Sequence, residues 1–431
     1  MTKPFQLFSW NYSYFSAKVR AYMGYKRFRS GLVYEEILAT QEIVRGLLIP
    51  ATGSNVVPQI RTPEGEWLQD SSEIIDTLEA RFPASPVVPT TPKQQLVSYL
   101  IELLADEWML PWGFWERWHY SLSSVEPNHE AFNALQWGRI YNPEGSGHQR
   151  IEAARFIFKE HMRIDAPEEA EMGPYAGLVQ LGVTDDTIDA WTTSMRNILG
   201  LLEAHFDHYP YVLGGAPSLA DFALLGPIYP HLYKDPVTGF MMRTEFPLVS
   251  EWVERANGSE EAGYSSFREP RYRLIDGELD PLADGAWLTD DEVPETLLPL
   301  IGVFFTEMWP VLKATMAAVS NYIASDQCIQ GGELPGKSFY SPRDFKELQS
   351  NHGPLTVSFE LNGASGFRMA SPYHVWMLQR IAANTAIEGD ELENFLDQFA
   401  QGKELQSLND RLAGCPVEKR FEQLFAGALV R

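Results

Sequence analysis

"NVVPQIRTPEGEWLQDSSEIIDTLEARFP", residues 55–83, makes three structural statements in a row. "NVVPQIRT" and "EWLQD" flank Pro63-Glu64-Gly65, a turn signal, and read as two strands. "SSEIIDTLEARF" sets Ile74, Ile75, Leu78 and Phe82 at helical spacing, which gives an amphipathic helix one apolar face. Upstream, "FQLFSW" reads as a strand and "SAKVRAYMGYKRF" as a helix with Val19, Tyr22 and Met23 on one side. "VYEEILA" is a second strand, and "EIVRGLLI" a short helix or irregular piece. The order β-α-β-(α)-β-β-α over residues 4–83 predicts an α/β unit with helices packed on a small mixed sheet.

Four prolines in "PASPVVPTTP", residues 83–92, make a stiff, extended linker and a domain boundary. From about 93 to 257 strand signals vanish. "KQQLVSYLIELLADEWML", "HQRIEAARFIFKEHM", "TDDTIDAWTTSMRNILGLLEAHFDHY", "PSLADFALLGPIYPHLY" and "FPLVSEWVERA" predict an all-α domain. Ser218 and Asp221 have capping-box spacing. Residues 276–295 are strongly acidic and read as a solvated connector. "ETLLPLIGVFFTEMWPVLKATMAAVSNYIA" follows as buried helix interrupted or kinked by Pro299 and Pro310. "LTVSFELNGASGFRMA" reads as a hairpin turning at Asn362-Gly363, and "SPYHVWMLQRIAANTA" as a helix capped by Ser371 with Pro372 at its first position. Two more helical segments are expected to close the chain. The domains expected are therefore 1–83, 93–275 and a mostly helical extension, 276–431, with one short β-hairpin.

Composition narrows the function classes. The 431 residues are 45% apolar and 21% charged, ordinary for a soluble globular chain. A formal net charge of −24 opposes nucleic-acid binding, which needs Lys and Arg against phosphates, and opposes docking on an anionic membrane. No apolar run approaches the roughly 20 residues that span a bilayer, and no secretory leader is expected at the N-terminus. Cys328 and Cys415 are the two cysteines, which leaves no disulfide framework and fits a reducing, cytoplasmic compartment. No metal site is expected: His205 and His208 are helical neighbours without a third ligand.

"NYSYFSAKVR", residues 11–20, puts hydroxyls where a strand hands over to a helix. A serine there caps the helix, and a helix N-terminus also favours anions. With residues 55–83 and "PSLADFALLGPIY", this stretch resembles the glutathione S-transferase superfamily. In that resemblance Ser13 falls on the catalytic Ser/Cys position and Lys18-Val19-Arg20 on the basic cluster. Val57-Pro58 falls on the Val-Pro that carries a cis proline, and Asp70-Ser71 on the pair that binds the γ-glutamyl end of glutathione. Ser218-x-x-Asp221 falls on a folding motif of the helical domain. The fold implied is a thioredoxin-like domain followed by an all-α domain. The family often has Pro after the catalytic position, where this chain has Tyr14, and the first domain contains no thiol.

The resemblance implies an enzyme that activates the glutathione thiol, as co-substrate, for attack on a small hydrophobic electrophile, by conjugation or reductive displacement. Free thiols have a pKa near 8.5, and the thiolate is the nucleophile. A hydroxyl donor at a helix N-terminus stabilises it. Ser13 is the candidate donor, with Tyr12 and Asn11 as alternatives. Backbone at Val57, beside Pro58, together with Asp70 and Ser71 would hold the tripeptide. From "DEWMLPWGFWERWHYS", Trp108, Trp112 and Trp115 are candidates for the second-substrate pocket, against the plainer reading of core packing. A homodimer is the family default. The alternative is a non-catalytic binding or scaffold protein that keeps the fold.

Overall fold

A computed structural model describes residues 3–165, 174–257, 272–281, 285–335, 355–385 and 389–428. Four strands form the first sheet: β1 (Phe5–Ser9), β2 (Tyr34–Leu38), β3 (Gln59–Arg61) and β4 (Trp67–Gln69), in the order β2-β1-β3-β4. β1 and β2 run parallel, in register Leu7↔Glu36, and a parallel pair needs a crossover. Helix α1 (Tyr14–Ser30) supplies it and ends on Gly31, whose φ of 71° is open to glycine without a Cβ clash. β3 pairs antiparallel with both β1 and β4. Strand alternation sends Leu7 and Ile60 into the core shared with α1 and α2 (Ser71–Arg81). Phe8 faces the other way, packing with Leu48, Ala39 and Trp67 beneath the short helical pieces of 41–52.

The proline-rich segment is fastened rather than loose. Lys26 Nζ donates to the carbonyls of Phe82, Ala84 and Ser85. Val87 is fully buried, its N–H donating to Glu79 and its carbonyl accepting from Leu219 N–H.

Helices Pro92–Leu103, Leu110–His119, Ile188–Phe206, Leu219–Pro227 and Pro247–Ala256 build the helical body. Asp221 is fully buried, and its carboxylate accepts from Ser218 N–H and Oγ, Val212 N–H and Trp252 Nε1, at 2.8–3.0 Å. Helix Leu219–Pro227 lies close against α1, where Gly226 leaves room: a Cβ there would lie 3.1 Å from the Tyr14 ring. Several helices widen into a π-turn just before a proline, at 104–108 before Pro111 and at 304–308 before Pro310. A wider turn gives the proline ring clearance from the preceding carbonyls and absorbs its missing N–H.

That device at Pro310, and the first-turn position of Pro299 after the tight turn 295–297, correct one expectation. Pro299 and Pro310 do not break the apolar stretch; Glu295–Ile323 runs as 29 continuous helical residues, long and apolar enough by length and composition to cross a membrane. In its apolar window 56% is buried inside this fold. It packs into the same core as the rest of the helical body: Leu298–Val303 meets helices Ile188–Phe206 and Pro92–Leu103, and Trp309, Leu312 and Val319 are buried further along. The acidic connector is likewise partly built in. Asp291 accepts from the N–H groups of Lys93 and Gln94, and Leu288 N–H donates to Leu213. Leu282, Ala283 and Asp284 of that connector lie outside the described residues.

The expected hairpin forms as Thr356–Leu361 and Ala364–Met369, with Asn362 and Gly363 at φ 48° and 83°. Ser371 caps helix Pro372–Asn384 through Tyr373 N–H. Two further hairpins are present that the sequence reading missed. Tyr272–Ile275 pairs with Glu278–Pro281 around Asp276-Gly277, both at positive φ. Two helices, Asp390–Leu396 and Leu408–Ala413, follow as expected, and beyond them the last described element is a hairpin, Val417–Arg420 with Gln423–Ala426.

Candidate functional site

Ser13 opens α1. Its extended backbone (φ −89°, ψ 137°) lets its side chain turn back over the first turn, where Oγ accepts from Ser16 N–H at 3.5 Å and donates to the Val57 carbonyl at 3.4 Å. Both contacts are long for hydroxyl hydrogen bonds, so the proton is loosely held. The residue is half-buried, and the helix N-terminus adds positive potential there. Val57-Pro58 is cis. Its loop is pinned by Gln59, a fully buried residue whose carboxamide donates to the carbonyls of Ser54 and Val56 at 3.1 and 3.0 Å.

Of the two alternatives to Ser13, Tyr12 turns into the core. Tyr12 is fully buried, with the Arg117 guanidinium 3.5 Å from its ring centre. Burial, partly offset by Arg117, holds its phenol well above the ordinary value. Asn11 is half-buried, and its carbonyl accepts from Lys234 Nζ at 3.2 Å. Lys234 had no signal in the sequence. Burial and the neighbouring Arg20, Arg117 and Arg139 bring its ammonium down to about 7.

Asp70 precedes α2 at a positive φ of 84°. Oδ1 caps the helix, accepting from Ser72 N–H at 2.9 Å and Glu73 N–H at 3.3 Å. Ser71, the first residue of α2, is buried. Oδ2 is already engaged: it accepts from Tyr373 O–H at 2.8 Å and lies 3.8 Å from Lys419 Nζ. Lys419 also pairs with Glu73 at 2.6 Å and lies 4.7 Å from the Trp376 ring centre.

Lys18 lies inside rather than at the cleft. Its ammonium, fully buried, bonds Glu102 at 2.7 Å, Asp106 at 2.6 Å and Ser72 Oγ at 3.2 Å. Arg380 closes the network, pairing with Asp76 and with Glu102. Burial opposes ionisation of Glu102, but Arg380 and Lys18 outweigh it and hold this carboxyl low. Burial dominates at Asp106 and, with Glu102 nearby, raises its carboxyl despite Lys18. One step along, His374 Nε2 and Glu107 are 2.8 Å apart. The network thus joins the first sheet's helices, the helical body and helix Pro372–Asn384.

Of the aromatic candidates, Trp108 and Trp112 are packed in the core, with indole N–H groups donating to Glu307 and Thr192. Trp108 stands 4.7 Å, ring centre to ring centre, from Trp191. The plainer reading, core packing, describes both in this structure. Trp115 is half-buried and stacks on His119 at 4.2 Å. His205 bonds Thr296 Oγ1 and the Tyr211 carbonyl. Among the described residues no group of three or more His, Cys, Asp or Glu is placed to hold a metal ion.

Residues 7–86 match the family model described as "Glutathione S-transferase, N-terminal domain", and residues 185–255 match "Glutathione S-transferase, C-terminal domain". No curated protein matches the chain. Among solved structures, it is similar to a glutathione S-transferase from Rhodospirillum rubrum F11, at 14% identity and TM-score 0.37, over 64% of this chain and 96% of that one. It is similar to a β-etherase from Sphingobium sp. strain SYK-6, at 16% identity and TM-score 0.40, over 62% and 99%. A glutathione S-transferase from Methylobacterium radiotolerans JCM 2831, in complex with glutathione sulfonate, matches at 15% identity and TM-score 0.35, over 63% and 100%. The chain resembles the glutathione S-transferase superfamily in both its N-terminal and C-terminal domains, and at 431 residues it is longer than a typical member.

Proposed function

We propose that this glutathione S-transferase-like chain binds glutathione at the N-terminus of α1 and activates its thiol for attack on a small hydrophobic electrophile. The observation that carries the reading is Ser13: a half-buried hydroxyl, loosely held at 3.4–3.5 Å, at a helix N-terminus beside the Val57 carbonyl. A free thiol with pKa near 8.5 is only a few per cent thiolate at pH 7. A hydroxyl donor and the helix dipole that lower it by one to two units supply roughly 1.4–2.7 kcal/mol. Thiolate then becomes a major species at neutrality. Val57 backbone, Asp70 and Ser71 would hold the tripeptide, and Trp115 would line the electrophile's side. Lys234, partly protonated at neutral pH, adds some positive potential beside Asn11, which favours an anion there. The proposal extends to a cytoplasmic homodimer with boundaries near 83–93 and 275.

A second reading is a non-catalytic binding or scaffold protein. It is favoured by Asp70, whose second oxygen is bonded within the chain by Tyr373 and approached by Lys419. Turnover against a panel of electrophiles, compared between wild type and Ser13→Ala, separates the two. The enzyme reading expects at least a tenfold loss of kcat in Ser13→Ala with glutathione binding retained. No turnover by wild type with any electrophile leaves the binding-protein reading.

A further inference from the structure

We infer that the C-terminal hairpin is an internal occupant of the glutathione cleft, placing Lys419 and Glu422 where the charged ends of an incoming peptide would bind. The inference rests on the glutathione reading of Asp70 and Ser71. Two walls of the cleft are touched by this one element. At the α2 wall Lys419 pairs with Glu73 at 2.6 Å and approaches Asp70 at 3.8 Å, its side chain only 2% exposed. At the wall formed by the loop before Pro58, Glu422 accepts from Ser54 Oγ at 2.7 Å. A hairpin that presents an ammonium to one wall and a carboxylate to the other carries the two kinds of charge found at opposite ends of a zwitterionic peptide such as glutathione. Tyr373 completes the closure by donating to the Asp70 oxygen that capping leaves available.

The hairpin is anchored to the body at its base, and its tip is held to the cleft through Lys419 and Glu422. Its base is tied to the body by Val417 N–H and C=O with Gln379, by Leu334 N–H to Leu424, and by paired bonds between Ala426 and residues 331–332. Toward the turn, Arg420 and Phe421 are exposed. Two four-residue strands alone are marginal in water, so the tip's position depends on its polar contacts with the cleft. A ligand whose ammonium takes over Asp70 must displace Lys419. Its apparent affinity is then lowered by the fraction of molecules that are closed. Glutathione would in turn open the tip.

The test is calorimetric titration of reduced glutathione into full-length wild type, Lys419→Met and Glu422→Gln, with hydrogen exchange of residues 417–426 in wild type with and without glutathione. Methionine keeps the packing on Trp376 and removes the ammonium. The expected results are at least tenfold tighter binding to Lys419→Met, a smaller gain in Glu422→Gln, and faster exchange of the hairpin tip when glutathione is bound. Equal affinity in all three proteins with unchanged exchange overturns internal occupancy and leaves the glutathione reading standing. Absence of binding to all three, with exchange unchanged, overturns the glutathione reading and this inference with it. The wild-type exchange measurement needs no variant, so a misfolded Lys419→Met does not rescue the idea.

Discussion

Replacing Lys18 by methionine removes the one ammonium that Glu102, Asp106 and Ser72 share, at a position with no solvent exposure. Breaking one partner of a buried pair costs about 3–5 kcal/mol. The structure places Lys18→Met toward the low end, about 3 kcal/mol, because Arg380 still faces Glu102. Asp106 is the group left without its cation. Its folded-state carboxyl, already raised by burial, rises further and stays above the unfolded value of about 3.9. A raised carboxyl contributes stability that is present at low pH and lost as pH rises through the folded value. Lys18→Met should therefore be nearer to wild type at pH 5 than at pH 8, with a difference of at least about 1.4 kcal/mol. Urea unfolding followed by tryptophan fluorescence at the two pH values measures this. Adding Asp106→Leu should restore more than half of the loss, because the buried Glu102 still has Arg380 and the second carboxylate on Arg380, Asp76, is partly open to water. A loss below about 1 kcal/mol at pH 8, no pH dependence, or a double variant no better than the single one refutes the reasoning.

Asp221→Ala strands the Val212, Ser218 and Trp252 donors in the core. At about 1–3 kcal/mol per orphaned group, partly shared by relaxation, it should lower stability by about 3–5 kcal/mol, and a melting temperature within a degree or two of wild type would contradict that. His205 is brought down to about 4, first by burial and against the pull of its bond to the Tyr211 carbonyl. Its unfolded value is about 6.5, so its contribution is fully present above that and is lost as pH falls toward 4, by about 3 kcal/mol in all. His205→Gln should flatten the stability profile between pH 6.5 and 4; an unchanged profile would assign the acid sensitivity to other groups.

What was legible in the sequence is what short spacing decides. The turn at Pro63-Glu64-Gly65, the helix of Ile74, Ile75 and Leu78, the Ser13 and Ser371 caps, the Ser218–Asp221 pair and the Asn362-Gly363 turn each depend on neighbours a few residues away. Each of these appears in the structure. The contacts that close the candidate cleft span about 300 residues or more: Tyr373 to Asp70, Lys419 to Glu73, Arg380 to Asp76. No local pattern encodes them. "VEKRFEQLFA" is rich in helix formers and carries no strand signal of its own. Its strand state comes from pairing with the chain at Gly331 and Leu334, a tertiary override of propensity. The 272–281 hairpin did carry a signal, Asp276-Gly277, hidden by its acidic surroundings. Lys18 belonged to a basic cluster by resemblance, yet its burial could not be seen until Glu102 and Asp106 were brought beside it.

Ser13 is proposed to stabilise a glutathione thiolate. The ultraviolet absorbance of the thiolate, titrated with pH at saturating glutathione, tests it directly in wild type and Ser13→Ala. The bound thiol is expected to titrate at least about one unit below the free value of roughly 8.5, returning most of the way in Ser13→Ala. Bound glutathione that titrates like the free thiol in wild type, or an equal depression in Ser13→Ala, would contradict it.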